Sequence, residues 1–144
     1  MRLVCGQIAC DDRSVSITKQ QQAFHNESYT ITCKSNVDID ESVSWLYKLE
    51  SSSSYDVCLA DEGGEAHNLC VGRIQEKCID KKTHVLTINK LDAQFNNSEW
   101  RCTVHTLACS TSVGAFNSTI IQMKGNVYFV LKKVIRANNY ISTC

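Results

Sequence analysis

The sequence predicts an all-β chain folded as an antiparallel two-sheet sandwich, and three observations carry that expectation. Short segments alternate apolar and polar residues with the two-residue period of a strand. Polar clusters rich in Asn, Asp, Ser and Gly separate them. A quarter of the 144 residues are Leu, Ile, Val or Phe, enough to build a buried core. Strands with one wet and one dry face pair antiparallel and bury their dry faces against each other.

Taken in order, the candidate strands begin with Ser14 to Thr18. Ser28 to Lys34 alternates cleanly, with Tyr29, Ile31 and Cys33 on one face. Val43 to Lys48 sets Val43, Trp45 and Tyr47 on one face, and Tyr55 to Leu59 follows. Val71 to Ile79 precedes His84 to Asn89, whose apolar face holds Leu86 and Ile88. Trp100 to His105 directs Trp100, Cys102 and Val104 inward, and Ala115 to Met123 supplies the last strand. Asn36 to Glu41, Ser51 to Ser54, Asp61 to Gly64 and Asp92 to Ser98 have turn compositions.

Charge and cysteine content narrow the function classes. Fifteen basic and fifteen acidic residues leave no net charge, so nothing favours nucleic acid or an anionic membrane as partner. No apolar run approaches the ~20 residues of a membrane helix, so contact with a membrane would require an anchor outside this sequence. Nine cysteines and no proline are unusual, and nine thiols fit an oxidising compartment better than the cytosol. We therefore expect an extracellular chain, secreted or part of an ectodomain. Its first ten residues lack the apolar stretch of a secretory signal, so either the true start lies upstream, or the chain is a fragment, or it is not secreted; the first two are the expected readings.

Cys33, Trp45 twelve residues later and Cys102 sixty-nine residues after Cys33 fall on three separately alternating strands. With Leu86, Ile88 and the stretch Trp100-Arg101-Cys102, this pattern resembles an immunoglobulin-superfamily domain of the variable or intermediate set. The resemblance covers about residues 14–124 and leaves 1–13 and 125–144 as extensions. It implies a Greek-key sandwich, a Cys33–Cys102 bond joining the two sheets, and a core containing Trp45, Trp100 and Leu86. The family's Asp-x-Gly-x-Tyr-x-Cys segment is here Asn96, Ser98, Trp100 and Cys102. No tyrosine hydroxyl is available for the usual corner hydrogen bond, and no Arg–Asp pair across the neighbouring strands stands out.

Four further cysteines in the span allow three pairings. Cys70 with Cys78 and Cys58 with Cys109 is the preferred one. A zinc site from Cys70, Cys78, His67 and His84 lacks the tight Cys-x2–4-Cys knuckle, so neither metal nor cofactor is expected. Asn26, Asn96 and Asn117 each open an Asn-x-Ser/Thr glycosylation tripeptide. The basic, apolar tail 125–144 is either an amphipathic extension or interdomain strand or, the preferred reading, sequence translated past a splice site, and is assigned no role.

No nucleophile with a placed base and no Cys-x-x-Cys pair is visible, so an enzyme is not expected. The expected function is a non-enzymatic extracellular recognition or adhesion module with a protein or glycan ligand. Immune recognition is one such role, and invertebrate immune proteins that join Ig-like to lectin-type domains are one source for the chain. Expected binding regions are the loops Asn36 to Glu41 and His105 to Gly114, the region after Trp45, or a sheet face. The alternative is a structural spacer domain of a larger receptor or lectin-type protein; a small disulfide-rich enzyme ranks below both.

Overall fold

The computed structural model describes residues 13–39, 42–60, 65–105 and 114–124. Eight strands lie among them: β1 (Val15–Lys19), β2 (Tyr29–Ser35), β3 (Ser42–Lys48), β4 (Asp56–Leu59), β5 (Ile74–Asp80), β6 (Thr83–Ile88), β7 (Glu99–His105) and β8 (Ala115–Ile120). Two short 3-10 turns, Asn68–Cys70 and Ala93–Phe95, precede β5 and β7. The strands form two antiparallel four-stranded sheets in the orders β1-β2-β6-β5 and β4-β3-β7-β8. Each consecutive pair is a hairpin, and the chain changes sheet after every second strand. Both sheets have a locally paired strand on each edge, while the central pairings β2–β6 and β3–β7 join distant parts of the sequence.

Side-chain alternation explains the assembly. Tyr29, Ile31 and Cys33 of β2 and Leu86 and Ile88 of β6 point inward from the first sheet. Val43, Trp45 and Tyr47 of β3 and Trp100, Cys102 and Val104 of β7 point inward from the second. All of these are essentially inaccessible to water. The strand periods read from sequence therefore place the core correctly. Most ends shift by one residue and two by more: Gly72 adopts φ +69° in the turn before β5, which starts at Ile74, and β8 ends at Ile120. Beyond β8, Ile121 turns into the core and the Lys124 amide donates to the Ala23 carbonyl at 2.9 Å.

Turn chemistry is local. Asp80 accepts from the Lys82 amide at 2.8 Å and so closes the β5–β6 hairpin. That amide, with Thr83 and Lys34 adding to it, holds the Asp80 carboxyl below the usual carboxylate range. Asp92 caps the second 3-10 turn by accepting from the Gln94 amide, and also receives Arg73 Nη1 at 2.7 Å. This half-exposed ion pair is worth about 0–1 kcal/mol. It supplies the Arg–Asp link that the sequence did not single out.

The corner before β7 is held without a tyrosine hydroxyl. Trp100 Nε1 donates to Ser98 Oγ at 2.9 Å, and Ser98 Oγ donates to the Phe95 carbonyl at 2.6 Å. Ser98 is fully buried, so its hydroxyl relays one hydrogen bond to the next and no polar atom there is orphaned. Tyr47 and Phe95 pack against the indole with ring centroids at 5.4 and 6.0 Å. Ser98→Ala should cost about 1–3 kcal/mol, because it strands a buried indole N–H. In urea melts, Ser98→Ala combined with Trp100→Phe should cost less than the sum of the two single changes. Strict additivity would show that the relay carries no energy.

Candidate functional site

Cys33 on β2 and Cys102 on β7 are bonded across the two sheets, with Cα atoms 6.3 Å apart. Trp45 stands opposite Cys102 in the β3–β7 register, so its indole lies in the same interior layer. Trp45, Trp100 and Leu86 are all fully buried.

The second disulfide corrects the expected pairing. Cys58 of β4 is bonded to Cys70, with Cα atoms 5.4 Å apart, so neither Cys70–Cys78 nor Cys58–Cys109 forms. The 3-10 turn at Asn68–Cys70 folds back against β4, where His67 donates its amide to the Cys58 carbonyl at 2.8 Å. Cys78 sits four residues into the extended strand β5, about 13 Å beyond Ile74, which removes it from Cys70. Its sulfur lies 3.3 Å from the Asp80 carbonyl. Cys109 lies outside the described residues.

The glycosylation tripeptides have unlike surroundings. Asn26 is exposed in a turn at φ +64°. Asn96 is half-buried and accepts the Met123 amide at 2.9 Å, while its partner Ser98 is the buried relay described above. Asn117, on edge strand β8, is exposed and donates Nδ2 to the Val15 carbonyl at 3.0 Å.

An interior polar cluster was not legible beforehand. Glu76 Oε1 of β5 lies 3.1 Å from Trp45 Nε1 and 3.1 Å from His84 Nδ1. The Glu76 and His84 side chains are 8% and 2% exposed. A carboxylate reaching the core from one sheet thus fixes the indole of the other. Among the described residues no group of three metal-ligating side chains assembles.

The outer face of β4-β3-β7-β8 has a different character. Arg101, central on β7, faces outward opposite Leu46 and Ser118. Its guanidinium carbon is 4.1 Å from the Tyr55 ring centroid and 4.3 Å from that of Phe116. Next to it on the same face, Lys48 Nζ meets Glu99 at 3.3 Å. A hydrogen bond from the Tyr55 hydroxyl, aided by Ser118 and Lys48, holds the Glu99 carboxyl below its ordinary range against the opposing effect of burial. Burial, followed by the Glu99 carboxylate, raises the Tyr55 phenol, and Arg101 opposes the shift. Phe116, Ile120 and Val57 are 50%, 45% and 37% exposed, so the charged pair lies within apolar surface.

The alternation of Trp100-Arg101-Cys102 already turned Arg101 outward. Its aromatic neighbours depend on the β7–β8 register and on the entry into β4, which sequence does not fix. Of the loops expected to bind, residues 40–41 and 106–113 lie outside the described residues. No protein-family model and no curated protein sequence matches this chain.

Proposed function

We propose that residues 14–124 form an immunoglobulin-superfamily domain of the variable or intermediate set, acting as a non-enzymatic extracellular recognition module. The observation that carries this reading is the Cys33–Cys102 bond between sheets, with Trp45 in register beside it. The strand orders support it: naming the eight strands A, B, C, C′, D, E, F and G gives A-B-E-D packed on C′-C-F-G, the Greek-key arrangement of that family. One extra strand, C′, separates it from the seven-stranded constant type. Two intrachain disulfides fit an oxidising compartment, and the exposed Asn26 turn suits a glycan. Among the described residues no helix is long and apolar enough to cross a membrane. Recognition, immune or adhesive, is favoured over a spacer role by the apolar outer face of the second sheet, which a spacer does not need.

The chain fused to a eukaryotic secretion leader should emerge oxidised, with Asn26 converted to Asp after glycosidase treatment. Multimerised on beads, it should capture at least one member of an array of extracellular domains. Capture of none, from a properly oxidised preparation, would favour the spacer role and overturn the recognition reading.

A further inference from the structure

We propose that the outer face of β4-β3-β7-β8 docks a partner protein by seating an Asp or Glu side chain of that partner on the Arg101 guanidinium. This deepens, and rests on, the recognition reading above.

Three observations converge on Arg101. First, its planar cation is stacked against two rings, Tyr55 at 4.1 Å and Phe116 at 4.3 Å. Such stacking orders a side chain that otherwise samples many rotamers, so little entropy remains to be lost when a ligand binds. Second, the cation has no counter-charge: among the described residues no carboxylate approaches it within 4 Å. Glu99, the acid on its own strand, is already engaged by Lys48 at 3.3 Å. The buried Nε of Arg101 also lacks a hydrogen-bond partner. Third, the surrounding surface is apolar, with Phe116 and Ile120 half exposed. An acid arriving there together with apolar neighbours would be shielded from water, where a charge-assisted pair is strongest.

Charge decides the occupant. A second copy docked about a two-fold axis near Arg101 would set guanidinium against guanidinium, while the Glu99 of each copy is already held by its own Lys48. The tail of this chain carries Lys132, Lys133 and Arg136 and so brings more positive charge to a face already one cation in excess. A partner with a carboxylate in an apolar setting complements the face in both respects.

The test uses the whole oxidised chain and a blocked peptide, acetyl-Leu-Glu-Leu-amide, with its Leu-Gln-Leu analogue as control. The glutamate peptide should shift the Arg101 side-chain NMR resonance saturably and bind about tenfold more tightly than the glutamine peptide. Arg101→Gln should abolish the response, and Arg101→Lys, which keeps the charge without the planar fork, should weaken it severalfold. Backbone spectra and melting temperature serve as folding controls, and Arg101→Lys carries the test if Arg101→Gln does not fold. Equal responses to both peptides, or largest shifts around Lys34, Lys81 and Lys82, would overturn the proposal. So would a concentration-dependent dimer that Arg101→Gln dissolves. Array partners that bind Arg101→Gln as well as the native chain would sink this docking mode but leave the recognition reading standing. A chain that answers the glutamate peptide but captures no extracellular domain would sink the recognition reading alone.

Discussion

Replacing Cys33 and Cys102 together by alanine is expected to cost about 2–5 kcal/mol and to lower the melting temperature by roughly 10–20 °C. The bond spans 69 residues of sequence, for which the chain-entropy model gives about 4 kcal/mol. A domain of this size has about 5–15 kcal/mol of total stability, so this one bond accounts for a large share. The loss has a second source, because the sulfurs are fully buried beside Trp45 and alanine leaves their volume empty. Cys58→Ala with Cys70→Ala removes a bond spanning only 12 residues at a sheet edge and should cost less. Chemical denaturation of both double variants, with the remaining bond verified intact, ranks the two. If the short bond proved the costlier, the denatured chain would already hold Cys33 and Cys102 close together.

Glu76→Ala is expected to be among the most damaging single changes outside the cysteines, at about 3–5 kcal/mol. It removes the common partner of Trp45 Nε1 and His84 Nδ1, both 3.1 Å away, and so takes a hydrogen bond from two buried side chains at once. Glu76→Gln keeps the volume and one carbonyl acceptor, so its cost should be about half as great. Urea melts of the two variants separate the contributions. A glutamine variant as unstable as the alanine one would assign the stability to the carboxylate charge. A native-like alanine variant would mean that water replaces the acid.

The strands were readable because each needed only its own alternation: Tyr29, Ile31 and Cys33, or Trp100, Cys102 and Val104, announce a buried face without reference to any partner. What depended on meetings between strands was not readable. Cys70 finds Cys58 because a 3-10 turn brings it back to β4, and no local pattern marked that turn. Glu76 lies in Ile74-Gln75-Glu76-Lys77, which reads as a solvated strand until the other sheet is laid over it. Ser98 looked like a loop residue and a glycosylation element, yet it is a buried relay that satisfies the Trp100 indole. Arg101 could be turned outward by parity alone, but its two rings arrive from β8 and from the entry to β4.

The hydrogen bond from Asn117 Nδ2 to the Val15 carbonyl ties the last strand to the first across 102 residues. Its consequence concerns the order of synthesis. A chain leaving the ribosome can pair β1 with β2 early, since those strands are neighbours in sequence. It cannot close that side of the sandwich until β8 has emerged, and until then β7 is an open sheet edge. The same Asn117 nitrogen is the atom that a glycosyl group would take. Folding and modification therefore draw on one atom, and whichever reaches it first leaves the other a changed substrate.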